Sequence, residues 1–176
     1  MNDPVSARAG TRYSRPEHWL RRWADAHPEY RWAPEPPGPP LVLRDRVAAL
    51  EAEISRSNEP AILIAHSAGC ITAVVWAARH TGPVRAALLV TPPCIDGFEP
   101  DVAGDLAWAV PRSRLPFHAV VVASHTDPYT TFAQFGQYAE DWGADLFDAT
   151  LYGDRPASRS DATSLLELDD ALAGVR

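Results

Sequence analysis

Ala61-Ile62-Leu63-Ile64-Ala65 is an unbroken apolar run, and the chain passes almost at once into an alanine-rich stretch without proline, Ala68 to His80. A short apolar run of this kind predicts a strand buried on both faces, as a parallel sheet requires. The stretch after it predicts a helix. Downstream, Val84 to Val90 and Ala119-Val120-Val121-Val122-Ala123 read as further buried strands. Thr131 to Trp142 and Ser164 to Leu172 read as helices, and Asp145 to Thr150 as a strand. Upstream, Leu43, Val47, Leu50 and Ile54 recur at helical spacing, leaving Arg44, Arg46, Glu51 and Glu53 outside the apolar face. Strand and helix therefore alternate from residue 61 onward. That alternation predicts an α/β fold: an open, mainly parallel sheet with helices on both faces.

The proline-dense stretch Pro34-Glu35-Pro36-Pro37-Gly38-Pro39-Pro40 cannot be helix or central strand and reads as a surface loop. It is too short to join two domains, and 176 residues fit one. Lys and Arg total 16 against 23 Asp and Glu, a net charge of −7, and no basic cluster exceeds Arg21-Arg22. Nucleic acid is therefore not an expected partner. The longest apolar runs, such as Ala86 to Val90, fall far short of the roughly 20 residues of a membrane span. Asp3, Arg8, Arg12 and Arg15 interrupt the first 20 residues, so no signal peptide is expected. Cys70 and Cys94 cannot build a disulfide scaffold, and a cytoplasmic location is the expectation. No His/Cys/Asp cluster has metal-ligand spacing and no glycine-rich phosphate loop is present, so no cofactor is expected.

In an open parallel sheet, sites form beyond the carboxyl ends of strands. The residues after Ala65, Val90, Ala123 and Thr150 are thus the informative ones. Ala65-His66-Ser67-Ala68-Gly69 has the strand–turn–helix setting of a nucleophile elbow, with Ala in the first glycine position. Small neighbours allow the tight turn that lifts the Ser67 hydroxyl, and the helix start offers N–H groups to a developing oxyanion. The plain alternative is that Ser67 caps the helix.

The stretch Ile62 to Cys70 resembles the YdeN-type small serine hydrolases, the family that includes retinoblastoma-binding protein nine. Ala123-Ser124-His125-Thr126-Asp127-Pro128-Tyr129 is similar to that family's acid loop. Ala139 to Ala144, and Pro16-Glu17-His18-Trp19 with Trp23, match as well. The resemblance runs from about residue 16 to residue 150. It implies a compact α/β-hydrolase fold and ester- or peptide-type hydrolysis by Ser, Asp and His. Carried over by position, Ser67 matches the nucleophile and Asp127 the acid that orients the histidine.

The same resemblance exposes two departures. The family's catalytic histidine lies in a Gly-His loop after the last strand; here Gly153 is followed by Asp154, and no histidine occurs after His125. A serine hydroxyl is a poor nucleophile without a base, and a free carboxylate is badly matched to that task. Upstream, the family has an apolar strand and a loop that supplies an oxyanion N–H. Here that strand aligns with Val5-Ser6-Ala7-Arg8, which is polar and is expected to be frayed or exposed. Its loop becomes Ala9 to Tyr13, with Gly10 at the turn and Thr11, Arg12 and Tyr13 as candidates to face the substrate.

The remaining candidates are His125 as a substitute base, with His66, Ala68, Cys94, Phe98 and Trp108 around a small apolar pocket. For His66, His125, Cys70 and Cys94 a packing or surface role is the plain alternative. Three functions are compatible with these residues. The first in rank is non-hydrolytic acid–base chemistry on a small apolar molecule: cyclisation, dehydration, isomerisation or C–C cleavage. It would use Ser67 as a hydrogen-bond donor and the pair Asp127 and Asp154. Next comes an esterase with His125 as base, and last a catalytically inactive binding protein. The expected partner is a small molecule, not nucleic acid or membrane, and a homodimer is left open.

Overall fold

In the computed structural model of the chain the described residues are 5–7, 20, 25, 30–33, 42–95 and 110–149. The strands are β1 (Val5–Ala7), β2 (Arg31–Trp32), β3 (Ala61–His66), β4 (Val84–Val90), β5 (His118–Ala123) and β6 (Asp145–Asp148). The helices are α1 (Leu43–Ile54), α2 (Ala68–Ala77) and α3 (Phe132–Trp142). All neighbouring strands are parallel, in the order β2-β1-β3-β4-β5-β6. After β1 the chain runs outward to β2, then crosses back to lay β3 on the other side of β1. This reversal makes a topological switch point between β1 and β3, and the crevice at their carboxyl ends is where such sheets bind ligands.

Alternation along the strands sorts the core into two layers. Leu63, Ala65, Ala87, Leu89, Ala119, Val121 and Ala123 face one side, against Leu43, Val47, Leu50 and Ile54 of α1. The same cluster takes in Ile71, Val74, Val75 and Trp76 of α2 and Phe135, Tyr138 and Trp142 of α3. Ile62, Ile64, Ala86, Leu88, Val90, Val120 and Val122 form the opposite layer, where Leu20, Tyr30, Phe147 and Ala149 pack. Each fully buried Leu, Ile, Val or Phe contributes roughly 1.5–3 kcal/mol, so the continuous apolar runs are accounted for by burial on both faces. The described helices α1, α2 and α3 all cover one face. None is long and apolar enough to cross a membrane.

Local chemistry sets the helix ends. Thr131 accepts from the Gln134 N–H while Gln134 reaches back to the Thr131 N–H, a reciprocal cap that starts α3. Gly143 ends α3 with φ 62°, and a Cβ there would stand 2.8 Å from Arg114 Cγ. Both backbone conformation and close approach require glycine. α2 stops at Ala77, short of the His80 that the sequence suggests.

The sequence misjudges three other features. Val5–Ala7 is not frayed: it hydrogen-bonds to β2 on one side and β3 on the other, with Ser6 opposite Ile64 and Ala7 opposite Ala65. Backbone ladders do not need an apolar side-chain pattern, and three residues suffice once both neighbours are in place. The two-residue β2 has no sequence signature at all. Arg46 and Glu53 are buried, not outside: they are 7% and 3% exposed. Glu53 lies 3.2 Å from Arg31 Nε of β2 and 3.0 Å from Arg56 Nη1, so the last turn of α1 is tied to the edge strand by a buried carboxylate. Burial of that charge holds because it is paired. The loop at 34–40 and the helix expected at 164–172 lie outside the described residues.

Candidate active site

Ser67 follows β3 directly and has φ 54°, ψ −128°. A non-glycine residue in this region is strained by about 1–3 kcal/mol, and surrounding contacts must hold it there. The contacts are backbone ones: the Ser67 N–H donates to the Val90 carbonyl at 3.0 Å, and the Ser67 carbonyl accepts from Cys70 N–H at 2.9 Å. The hydroxyl makes no cap hydrogen bond to α2. The structure therefore sets aside the plain capping alternative. Ala68 begins α2 and is buried, and as a first-turn residue its amide has no acceptor within the helix. This amide stands where an oxyanion donor belongs. His66, half-buried, closes β3 opposite Val90.

Asp127 lies two strands away, on the loop after β5. Its Oδ1 accepts from the Tyr129 and Thr130 N–H groups, both at 2.9 Å. An aspartate followed by proline and a turn favours this local bonding. One carboxylate oxygen is thereby fixed, and Oδ2 has no described partner. β3 and β5 flank β4, so their carboxyl ends stand about 10 Å apart at the usual strand spacing.

Thr130, which the sequence did not single out, connects this loop to the one after β4. Its Oγ1 accepts from the Cys94 N–H at 2.8 Å and donates to the Pro92 carbonyl at 3.2 Å. Tyr138 Oη adds a bond to the Pro93 carbonyl at 3.1 Å. Cys94 is buried, and its Sγ accepts from Gln134 Nε2. That places Cys94 in the brace between loops. Cys70 is wholly buried, bonded through Sγ to the Val90 carbonyl at 3.3 Å, and burial pushes its thiol well above the ordinary value. It is a packing residue of α2, not a nucleophile.

His125 turns toward β6. Its Nε2 lies 3.4 Å from Asp148 Oδ2, and its ring stacks on Phe132 with centroids 3.8 Å apart and planes within 6°. β6 is on the far side of β5 from Ser67. Neither Asp148 nor Phe132 had a sequence signal, because each acts through a partner from another element. Thr11, Arg12, Tyr13, Phe98, Trp108 and Asp154 lie outside the described residues. β1 ends beside the strand that leads into Ser67, since Ala7 is opposite Ala65. Among the described residues no group of His, Cys, Asp or Glu could hold a metal ion.

A family profile described as serine hydrolase matches residues 8–154. The chain belongs to the serine hydrolase family. A YdeN-like hydrolase from Pectobacterium atrosepticum superposes with a TM-score of 0.80 at 23% identity, covering 98% of this chain and 91% of the other. The ydeN gene product of B. subtilis gives 0.72 at 18% identity, covering 99% and 98%. Est816, described as an N-acyl homoserine lactone degrading enzyme, gives 0.72 at 13% identity, covering 99% and 93%. These likenesses establish the α/β-hydrolase fold. A search of curated proteins finds no match.

Proposed function

We propose that this serine hydrolase family member cleaves small carboxylic esters or lactones through a covalent acyl-enzyme on Ser67. The observation that carries the proposal is the backbone of Ser67, left-handed at φ 54° with its hydroxyl not engaged in capping. Strain of this kind is retained where geometry serves a site, and it is what an attacking hydroxyl needs in order to stand clear of its own helix. Ser67 Oγ attacks the carbonyl carbon, and the oxyanion is received by the Ala68 N–H. Collapse expels the alcohol, which takes up a proton, and water then releases the acid. Asp127, with Oδ1 fixed, is the orienting carboxylate. The proton acceptor in this reading is His125, which must exchange Asp148 for the Ser67 side of its loop. The ester class is supported by neighbours of the same fold, such as Est816, described as an N-acyl homoserine lactone degrading enzyme, and Est1E from Butyrivibrio proteoclasticus, whose structure holds ferulic acid.

The test is labelling by a fluorophosphonate, read by intact mass, with hydrolysis of p-nitrophenyl butyrate alongside. One adduct, lost in Ser67→Ala and slowed in His125→Ala, is the expected result. A second reading is favoured by the His125–Asp148 contact and by Asp154, which follows Gly153 where the sequence resemblance aligns the family's histidine. In it Ser67 donates a hydrogen bond, and Asp127 with Asp154 supplies acid–base chemistry without an acyl-enzyme. No adduct at any pH from 6 to 9 would exchange the first reading for the second.

A further inference from the structure

The turn at Ser67 has a counterpart one strand away. Thr91, directly after β4, has φ 44°; among the described residues, it and Ser67 are the non-glycine positions with positive φ. Because His66 is opposite Val90, Ser67 and Thr91 occupy the next matching level, about one strand spacing apart. The two turns are built alike. The Ser67 N–H extends the ladder to the Val90 carbonyl, and the Thr91 N–H extends it to the Val122 carbonyl at 2.9 Å. Left-handed backbone is uncommon for any side chain and a true outlier for a β-branched one. Glycine or asparagine would satisfy the turn without strain, so the backbone alone does not explain the presence of threonine.

The side chain supplies the second, independent observation. Thr91 is 5% exposed, yet its Oγ1 has no hydrogen-bond partner among the described residues. The other buried threonines are engaged: Thr72 bonds the Ala68 carbonyl, and Thr130 bonds both Cys94 and Pro92. Thr91 Oγ1 is not among the buried side-chain atoms left without a partner, so the hydroxyl of this largely buried residue is open to a ligand atom at the strand end next to Ser67. Ser67 Oγ is unpaired in the same sense. Two unengaged hydroxyls thus sit on strained backbone at neighbouring strand ends, next to the switch point of the sheet.

We propose that Thr91 is a specificity-determining residue of the Ser67 site, its hydroxyl bonding a polar substituent that flanks the scissile carbonyl. This rests on the hydrolase reading above and adds the substrate class: acyl compounds bearing a hydroxyl or carbonyl near the ester, in preference to purely alkyl ones. A site built to bond such a group discriminates against the analogue without it, because the bound analogue covers the hydroxyl and leaves it unpaired.

The test compares p-nitrophenyl 3-hydroxybutyrate with p-nitrophenyl butyrate. The wild type is expected to favour the hydroxy ester by about tenfold in kcat/KM, mainly through KM. Thr91→Val, which keeps the β-branched shape and the same backbone cost, is expected to erase the preference, and Thr91→Ser to keep it. Equal rates on both esters in the wild type, or a preference that survives in Thr91→Val, overturns the proposal. If the wild type cleaves neither ester and Ser67 takes no label, the hydrolase reading has failed and binding decides the role of Thr91. In that case the same pair is compared as methyl esters, by amide chemical-shift titration of the 15N protein. Stronger shifts of Ala68 and Thr91 with the hydroxy ester, lost in Thr91→Val, sustain it; indistinguishable titrations reject it.

Discussion

The Thr130 N–H donates to Asp127 Oδ1 at 2.9 Å, while the Thr130 hydroxyl receives the Cys94 N–H at 2.8 Å. One residue thus fixes the acid after β5 and the loop after β4 together. Ser67 is tied into the same frame from the other side through the Val90 carbonyl, and Thr91 through Val122. Three consecutive strand ends are locked by backbone donors, so the spacing of Ser67, Thr91 and Asp127 is a property of the sheet and not of flexible side chains.

Thr130→Val keeps the shape of the side chain and removes the hydroxyl, leaving the Cys94 amide buried without its partner. The expected cost is about 1–3 kcal/mol, read as a lower urea midpoint with unchanged m-value. Thr130→Ser should recover most of it. Equal stability of Thr130→Val and wild type would show that the loop brace does not hold the site.

Ser67→Gly removes both the strain and the hydroxyl proposed as nucleophile. Glycine occupies this region readily, so the variant should gain about 1 kcal/mol and melt about 2–4 °C higher. It should take no fluorophosphonate label. A lower melting temperature would mean that the turn carries no strain.

Much of this architecture was legible in the residues, and the reasons are local. Five apolar residues ending in Ala65, small residues around Ser67 and an alanine-rich helix agree with one another at every level, so β3, the tight turn at Ser67 and the start of α2 read correctly. Arg46 and Glu53 did not; the burial of Glu53 depends on Arg31, on a strand only two residues long. Thr91 was invisible for a different reason: threonine's own preference is for extended backbone, and only the neighbouring strand ends impose φ 44°. The pairing of His125 with Asp148 likewise depends on the juxtaposition of β5 and β6.

Glu51 makes a pH prediction. Trp76 Nε1 donates to its Oε2 at 2.6 Å, and that bond, opposed by partial burial and aided by Ser55 and His80, holds its carboxyl below the ordinary value near 4.5. A carboxylate depressed by folding stabilises the native state above its unfolded value, and the contribution is lost as pH falls through the folded value. Glu51→Gln should therefore be less stable than wild type at pH 7, with the gap closing below about pH 4.5. A gap of the same size at pH 3 and pH 7 in urea unfolding would assign the effect to packing against Trp76 instead.

His125 can be tested through its contact with Asp148. Asp148→Asn removes the charge that draws the imidazole toward β6. Under the hydrolase reading this should raise the rate of Ser67 labelling, and His125→Ala should lower it; unchanged rates in both would remove His125 from the chemistry.

The last prediction concerns Asp154. Asp154 follows Gly153 where the resemblance places a catalytic histidine, and no histidine lies beyond His125. Asp154→His would restore a base of suitable strength to the position from which the family acts on its serine, with Asp127 already held by two amides to orient it. General-base catalysis contributes about 10²–10⁴, so hydrolysis of p-nitrophenyl butyrate should rise by at least about 10²-fold over wild type. His125 then becomes redundant, and the double variant Asp154→His, His125→Ala should keep the gain. A rise that disappears in the double variant would make His125 the working base even with a histidine at 154. No rise in Asp154→His would mean that the base is not what limits the reaction. The remaining requirement is the second oxyanion donor, which the family draws from the loop after its first strand. The sequence resemblance aligns that loop with Ala9 to Tyr13, and its exchange for a glycine-rich turn would be the next variant to make.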